Sequence, residues 1–226
     1  MSLNQMKVCV LGAGGFIGKN LLRNTDWVGL TRHDLDLLNQ SAVEEYFTSN
    51  KYDVVVHCAA SIDQISESTT YKNVAMFENV VRVFKGKLIY FSSGAALRGD
   101  PPVDPYGLSK WTIEQRIKTI PNAYVLRIWG CYGPDELPTR FSAVCKRKGH
   151  VVIDKDRYFD FINVNTVCEI VQQYVTSNKK LIKYCDLVNS KKRLLSEWAI
   201  FFGATYEVRD TFELDEPYVS SNRASF

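Results

Sequence analysis

The chain has 226 residues, 46% of them hydrophobic, enough to bury a sizeable core in one domain, or one with a small annex, without staples. Its formal charge of +3 comes from Lys and Arg scattered among nearly as many Asp and Glu, which argues against nucleic acid or an anionic membrane surface as partner. Six cysteines without a Cys-x-x-Cys pair, no His at ligand spacing, and no long apolar run argue against a metal site, a signal peptide and a membrane span.

A reducing, cytoplasmic setting is the corresponding expectation. Met1-Ser2-Leu3, ahead of a second methionine at Met6, is set aside from fold reasoning. From there Val8 to Leu11 reads as a strand ending in glycines, and Phe16 to Arg23 as a helix. Trp27 to Leu30 is a second strand and Ala42 to Thr48 an amphipathic helix. The run Asp53-Val54-Val55-Val56-His57 is a strand apolar enough to be covered on both faces. The alternation continues with a helix over Val74 to Phe84, a strand at Leu88 to Phe91, a helix over Ser109 to Thr119 and a strand at Tyr124 to Ile128. Strands alternating with helices imply right-handed crossovers and a doubly wound parallel sheet.

Beyond Trp129 the rhythm weakens. A helix over Arg140 to Lys148 ends in the densest basic cluster, Lys146-Arg147-Lys148, which reads as a solvated helix end. A strand near Val151 to Ile153, a helix near Val167 to Thr176, a strand near Cys185 to Val188 and a helix from Leu195 to Phe202 follow. The organisation expected is a dinucleotide-type domain over residues 1–129 and a reduced region over 130–226, an irregular annex some of whose elements complete the main sheet. The tail after Asp210 is expected to be loosely held.

The first strand runs into Gly12-Ala13-Gly14-Gly15-Phe16-Ile17-Gly18 and then a helix. A pyrophosphate needs close backbone approach and unpaired amide donors, and a glycine-rich turn feeding a helix supplies both. The spacing is three and three, unlike the commonest two-then-three fingerprint, so the position between strand and helix carries the assignment; the bland reading is a tight turn with no ligand. At the end of the second strand, where an acidic side chain would pair with the ribose of NAD, stand Thr31 and Arg32. A guanidinium holds a phosphate well, so NADP is favoured, with NAD as the alternative if Arg32 only reaches into solvent and Asp34 binds the ribose.

Tyr106 and Lys110 lie four residues apart, on one helix face. A lysine beside a tyrosine favours the phenolate, which makes the phenol a usable general acid or base; taken alone, such a pair also fits an ordinary surface position.

With these residues in view, the chain resembles the extended short-chain dehydrogenase/reductase family, the NAD(P)-dependent epimerases and dehydratases of nucleotide sugars. The resemblance runs from Lys7 to about Phe202. It includes the glycine turn, Asp36-Leu37, His57-Cys58-Ala59-Ala60, Asn73-Val74, Phe91-Ser92-Ser93, and Tyr106 with Lys110. Weaker similarity continues through Leu126-Arg127 with Tyr132-Gly133-Pro134, and Asp160 to Val164. The stretch Thr31 to Leu38 is similar to the GDP-fucose synthase and keto-sugar reductase branch. The resemblance implies a Rossmann-type fold, adenine flanked by Asp36 and Leu37, and cofactor contacts at Gly12, Gly14, Gly15, Phe16, Ile17, Gly18, Arg32, Ala59, Ala60, Asn73, Tyr106 and Lys110. It also implies a nucleotide-linked sugar as substrate, with no metal, and a homodimer paired partly through the helix of Tyr106 and Lys110.

The departures narrow the reaction. In the family a serine or threonine that bonds the sugar oxygen stands at what is here Gly94, and Ser93 lies one residue early, so Ser93 could serve only through a shifted loop or a bridging water. The acidic pair that dehydratases carry after that serine is Ala95 and Ala96, and Ala96 also replaces the cysteine of the GDP-fucose branch. What remains is hydride transfer with one proton carrier: reduction of a keto sugar, or 4-epimerisation, with Tyr106, Lys110 and Ser93 as catalytic residues. The alternative is a dinucleotide-binding or redox-sensing protein with little turnover, motivated by Gly94. Arg140 and Arg157 are candidate contacts for a substrate diphosphate.

Overall fold

A computed structural model describes residues 6–177 and 179–223; Met1-Ser2-Leu3 lies outside the described residues. The chain forms two compact units, one running up to Arg127 and including Cys168–Cys185, the other made of Ile128–Val167 and the chain from Asp186 onward. The elements begin as β1 (Val8–Leu11), α1 (Phe16–Leu22), β2 (Val28–Leu30), α2 (Gln40–Ser49), β3 (Val54–His57), α3 (Ser68–Val83), β4 (Lys87–Ser93), α4 (Pro105–Ile117) and β5 (Ala123–Ile128). They continue as β6 (Gly130–Tyr132), α5 (Phe141–Lys148), β7 (His150–Lys155), β8 (Tyr158–Phe159), β9 (Phe161–Asn163), α6 (Val164–Thr176), β10 (Tyr184–Leu187), β11 (Arg193–Leu194), α7 (Leu195–Phe201) and β12 (Thr205–Asp210).

Six strands form the central sheet in the order β10-β5-β4-β3-β1-β2, and β1 pairs in parallel with both β2 and β3, as β3 does with β4. Parallel neighbours cannot be joined by tight turns, so helices carry the crossovers, and strands covered on both faces take unbroken apolar runs. Every residue of β1 and β3 is accordingly buried. This is the Rossmann-type, doubly wound α/β sheet expected from the alternation. The strand order reverses at β1, with β2 on one side and β3 on the other, which opens a crevice at the carboxyl ends of these strands. Beneath it, Phe77 and Val80 of α3 and Ile113 and Ile117 of α4 are buried in one core with Leu11, Val55 and Tyr90, each large side chain contributing roughly 1.5–3 kcal/mol.

Helices α3 and α4 begin a full turn or more before their apolar periodicity indicates. In α3 the first two turns bury polar residues, Thr69 and Asn73, whose partners lie elsewhere in the chain. The start of α4 is set by capping: Asp104 accepts a bond from the Gly107 amide at 2.7 Å, with Pro105 in the first turn.

In the second unit β7 pairs in parallel with β12, a strand that the sequence pattern did not reveal, and β6 pairs in parallel with β9. Phe161, Trp198 and Phe202 form its aromatic core, with ring centroids 5.3 to 5.7 Å apart. The expectation of a loose tail after Asp210 is corrected. The Asp215 amide bonds the Asp156 carbonyl at 2.7 Å, the Tyr218 amide bonds Tyr158, and the Ser220 hydroxyl donates to Asp186 at 2.6 Å. Arg223 reaches both carboxylate oxygens of the buried Asp160 at 2.8 Å. Buried carboxylates are tolerated only with such donors, and these lie too far along the chain for local pattern to show. Among the described residues, no helix is long and apolar enough to cross a membrane.

Candidate active site

The glycine turn is built by close contact. Gly12, at the end of β1, has φ +83°, and a Cβ there would stand 2.6 Å from the backbone nitrogen of Ala59. A Cβ on Gly18 would overlap the Gly12 carbonyl oxygen, so α1 starts against the turn that precedes it. Gly12, Gly14 and Gly15 line a cavity of about 490 Å³ at the crevice, facing Ala59 and Ala60 from the loop after β3. Phe16 and Ile17 lie half-buried in the first turn of α1 and do not line that cavity. A turn stripped of side chains beside an open cavity fits a dinucleotide pyrophosphate, whose oxygens need close access to backbone amides.

The rim beside β2 is charged. Arg32 and Asp36 both line the cavity, with Arg32 Nη2 3.8 Å from the Asp36 carboxylate, and Leu37 completes that wall. Asp34, the alternative ribose ligand, is committed to the turn itself. It accepts bonds from the Thr31 hydroxyl at 2.6 Å and the Thr31 amide at 2.8 Å, which hold its carboxyl below the usual range. The ion pair of Arg32 is exposed and adds little to stability, so its guanidinium can exchange Asp36 for a better anion.

On α4, Tyr106, Lys110 and Glu114 recur every four residues and so share one helix face. The Lys110 ammonium, buried, donates to the Tyr90 hydroxyl at 3.0 Å and the Phe91 carbonyl at 2.9 Å, and stands 5.6 Å from the centre of the Tyr106 ring. Burial pulls its pKa down to about 7, against the opposing pull of Cys58 and Glu114. The Cys58 thiol is itself pushed up by burial. Glu114 is held in turn by Ser92 at 2.6 Å and by Arg127, through Nε at 2.9 Å and Nη2 at 2.6 Å. Such a buried carboxylate needs all its donors, because removing one partner of a buried pair typically costs about 3–5 kcal/mol.

Ser93, the last residue of β4, is buried, and its Oγ accepts a bond from the Ala95 amide at 3.2 Å. Gly94 opens a tight 3₁₀ turn, Gly94–Leu97. A Cβ on Gly107 would stand 2.8 Å from the Ala95 carbonyl oxygen, so the glycine beside Tyr106 lets the first turn of α4 press onto the turn that follows Ser93.

Other expected contacts are placed elsewhere. Asn73 does not line the cavity: its side chain bonds the backbone of Ser61 in both directions, at 2.7 and 3.0 Å, and donates to Ser109 at 2.9 Å, tying the loop after β3 to α4. In the second unit Arg157 is paired with Asp215 at 3.3 Å, and Arg140 precedes α5 as its exposed N-cap. Tyr90 and Glu114 were not singled out by sequence reasoning, and Arg127 only as part of the weak similarity at Leu126-Arg127. The one local signal was Glu114 four residues after Lys110.

The state of Lys110 has a measurable consequence. Its folded pKa near 7 lies below the roughly 10.4 of an unfolded lysine, so between those values the unfolded chain binds more protons and stability rises with pH. Urea unfolding from pH 7 to 10 should therefore show wild type gaining on Lys110→Met as pH rises, and a constant difference between the two would contradict a buried, depressed Lys110.

The chain is similar to known proteins in the same regions. Residues 8–183 match the family model described as NAD dependent epimerase/dehydratase family. A curated relative, the GDP-6-deoxy-D-talose 4-dehydrogenase of Aggregatibacter actinomycetemcomitans, is 27% identical over 208 residues, covering 76% of this chain and 70% of that protein. The putative UDP-glucose 4-epimerase of Methanocaldococcus jannaschii is 27% identical over 193 residues, covering 66% of this chain and 62% of its own length. Among solved structures, the dTDP-4-dehydrorhamnose reductase of Bacillus anthracis str. Ames in complex with NADP shares the fold with a TM-score of 0.79 at 21% identity, over 95% of this chain and 88% of that one. The glycine turn, the strand end carrying Ser93 and the helix carrying Tyr106 and Lys110 all fall inside the matched span, and the chain belongs to the NAD dependent epimerase/dehydratase family.

Proposed function

We propose that this protein is an NADP-dependent reductase of a nucleotide-linked keto sugar. The observation that carries the reading is the combination, within one unit, of a glycine-walled cavity rimmed by Arg32 with a buried lysine one helical turn from Tyr106. Gly12, Gly14 and Gly15 would receive the pyrophosphate, Asp36 and Leu37 the adenine, and Arg32 the 2′-phosphate that distinguishes NADP from NAD. The similarity to a reductase solved with NADP supports the same cofactor.

When bound, the reduced nicotinamide supplies the hydride. Tyr106 delivers the balancing proton from its phenol to the carbonyl oxygen, which becomes the alcohol. Lys110, held in place by Tyr90 and Phe91, supplies positive charge beside the Tyr106 phenolate that forms, and that phenolate then regains its proton from solvent. Ser93 positions the sugar oxygen. Its place supports this role: Ser93 is the last residue of β4, directly before the 3₁₀ turn that α4 packs against at Gly107. Ala95 and Ala96 supply no acid or base, which favours reduction over dehydration. A 4-epimerase is the second reading, favoured by the similarity to the Methanocaldococcus jannaschii protein.

Oxidation of NADPH in the presence of GDP-, UDP- and dTDP-linked 4-keto sugars is the direct test. Turnover with one of them is expected; dinucleotide binding without turnover on any would leave a binding or redox-sensing protein. The Arg32 assignment is checked separately: Arg32→Ala should weaken NADPH by about 10- to 100-fold, the worth of a charge-assisted bidentate contact, and leave NADH nearly unchanged. Equal losses for the two dinucleotides would remove Arg32 from the 2′-phosphate.

A further inference from the structure

The cavity has a second cation that the cofactor assignment above leaves without a task. Lys72, on the outer side of α3, lines the same space as Arg32 and the glycine turn, with Met76 one turn further along the helix. Asn79 Nδ2 donates to the Leu37 carbonyl at 2.9 Å, which ties a later turn of α3 to the wall assigned to adenine, and Lys72 lies seven residues before it, about 10 Å nearer the helix start. Its charge is felt in the loop after β3, the loop whose Ala59 and Ala60 line the cavity with the glycine turn. Asp63, whose carboxylate feels the charge of Lys72, is already engaged by the amides of Ile65 at 2.9 Å and Ser66 at 3.0 Å.

We infer that Lys72 is a phosphate-reading residue for the dinucleotide pyrophosphate, dividing the work with Arg32, which takes the 2′-phosphate. This rests on the dinucleotide reading proposed above and adds to it a second, cofactor-independent electrostatic contact. The physical need is clear. The glycine turn offers only backbone amides and partial charges to a group carrying two negative charges, and a full positive charge at the cavity edge balances it. Lys72 is exposed, so the contact should weaken with ionic strength.

The test titrates NADPH and NADH into wild type, Lys72→Met and Lys72→Arg, following dinucleotide fluorescence at low and at moderate salt. Lys72→Met should lose about tenfold in affinity for both dinucleotides, leaving their ratio unchanged, while Lys72→Arg restores most of it and added salt shrinks the difference. Thermal unfolding should be the same for all three proteins, since the side chain is exposed. Unchanged affinities would make Lys72 a solvated bystander, and a loss confined to NADPH would transfer it to the 2′-phosphate; either overturns the inference. If wild type binds neither dinucleotide, the cofactor reading itself has failed, and that outcome is visible before any variant is compared.

Discussion

Replacing Tyr106 by phenylalanine should reduce keto-sugar turnover by about 10²- to 10⁴-fold, the usual contribution of a positioned general acid. NADPH affinity should stay nearly unchanged. The substitution keeps the ring that stands 5.6 Å from the Lys110 ammonium and removes only the oxygen that carries the proton, so packing at the start of α4 survives. Single-turnover measurements at saturating NADPH separate this from a binding defect. A wild-type rate in Tyr106→Phe would mean that the proton comes from elsewhere, and the reading of α4 as the catalytic helix would fall with it.

The second large effect is expected at Gly12. Gly12→Ala carries two penalties: a positive φ, which typically costs a non-glycine residue on the order of 1 kcal/mol, and a Cβ 2.6 Å from backbone that cannot swing aside. Gly203 isolates the first penalty, since its φ is +80° but a Cβ there would meet nothing within 4 Å. Gly203→Ala should therefore destabilise by about 1 kcal/mol and leave dinucleotide binding intact. Gly12→Ala should destabilise by clearly more and lose dinucleotide binding, because it forces the turn and the loop at Ala59 apart across the cavity floor. Equal losses of stability in the two variants, measured by urea unfolding, would show that the close approach at Gly12 is dispensable.

The parts of the site that were legible in advance share one property: their signal is local. The glycine turn announces itself because a strand, a run of glycines and a helix follow each other directly, and Tyr106 with Lys110 because a four-residue spacing is one helical turn. Arg32 was legible from its place at a strand end. Asn73 could be placed near the site but not given its task, since whether an amide faces a ligand or the backbone of Ser61 depends on a loop twelve residues away. Similarly, Gly94 marks a departure in the sequence, while the 3₁₀ turn that leaves Ser93 at the end of β4 is visible only in three dimensions.

By itself, then, the sequence determined the α/β alternation, the strand–turn–helix that suits a dinucleotide, and the pairing of Tyr106 with Lys110, because periodicity, turn chemistry and helical spacing act over a few residues. Only the tertiary structure decided the surroundings of Lys110, where Tyr90 and Phe91 come from β4 and Glu114 is locked to Arg127 of β5. It also decided that the tail after Asp210 is pinned through Asp160 and Asp186, and that Lys72 shares a cavity with Arg32. These are contacts between residues far apart in the chain. Their energies depend on burial, which raises the worth of each charge and hydrogen bond and which no local pattern records.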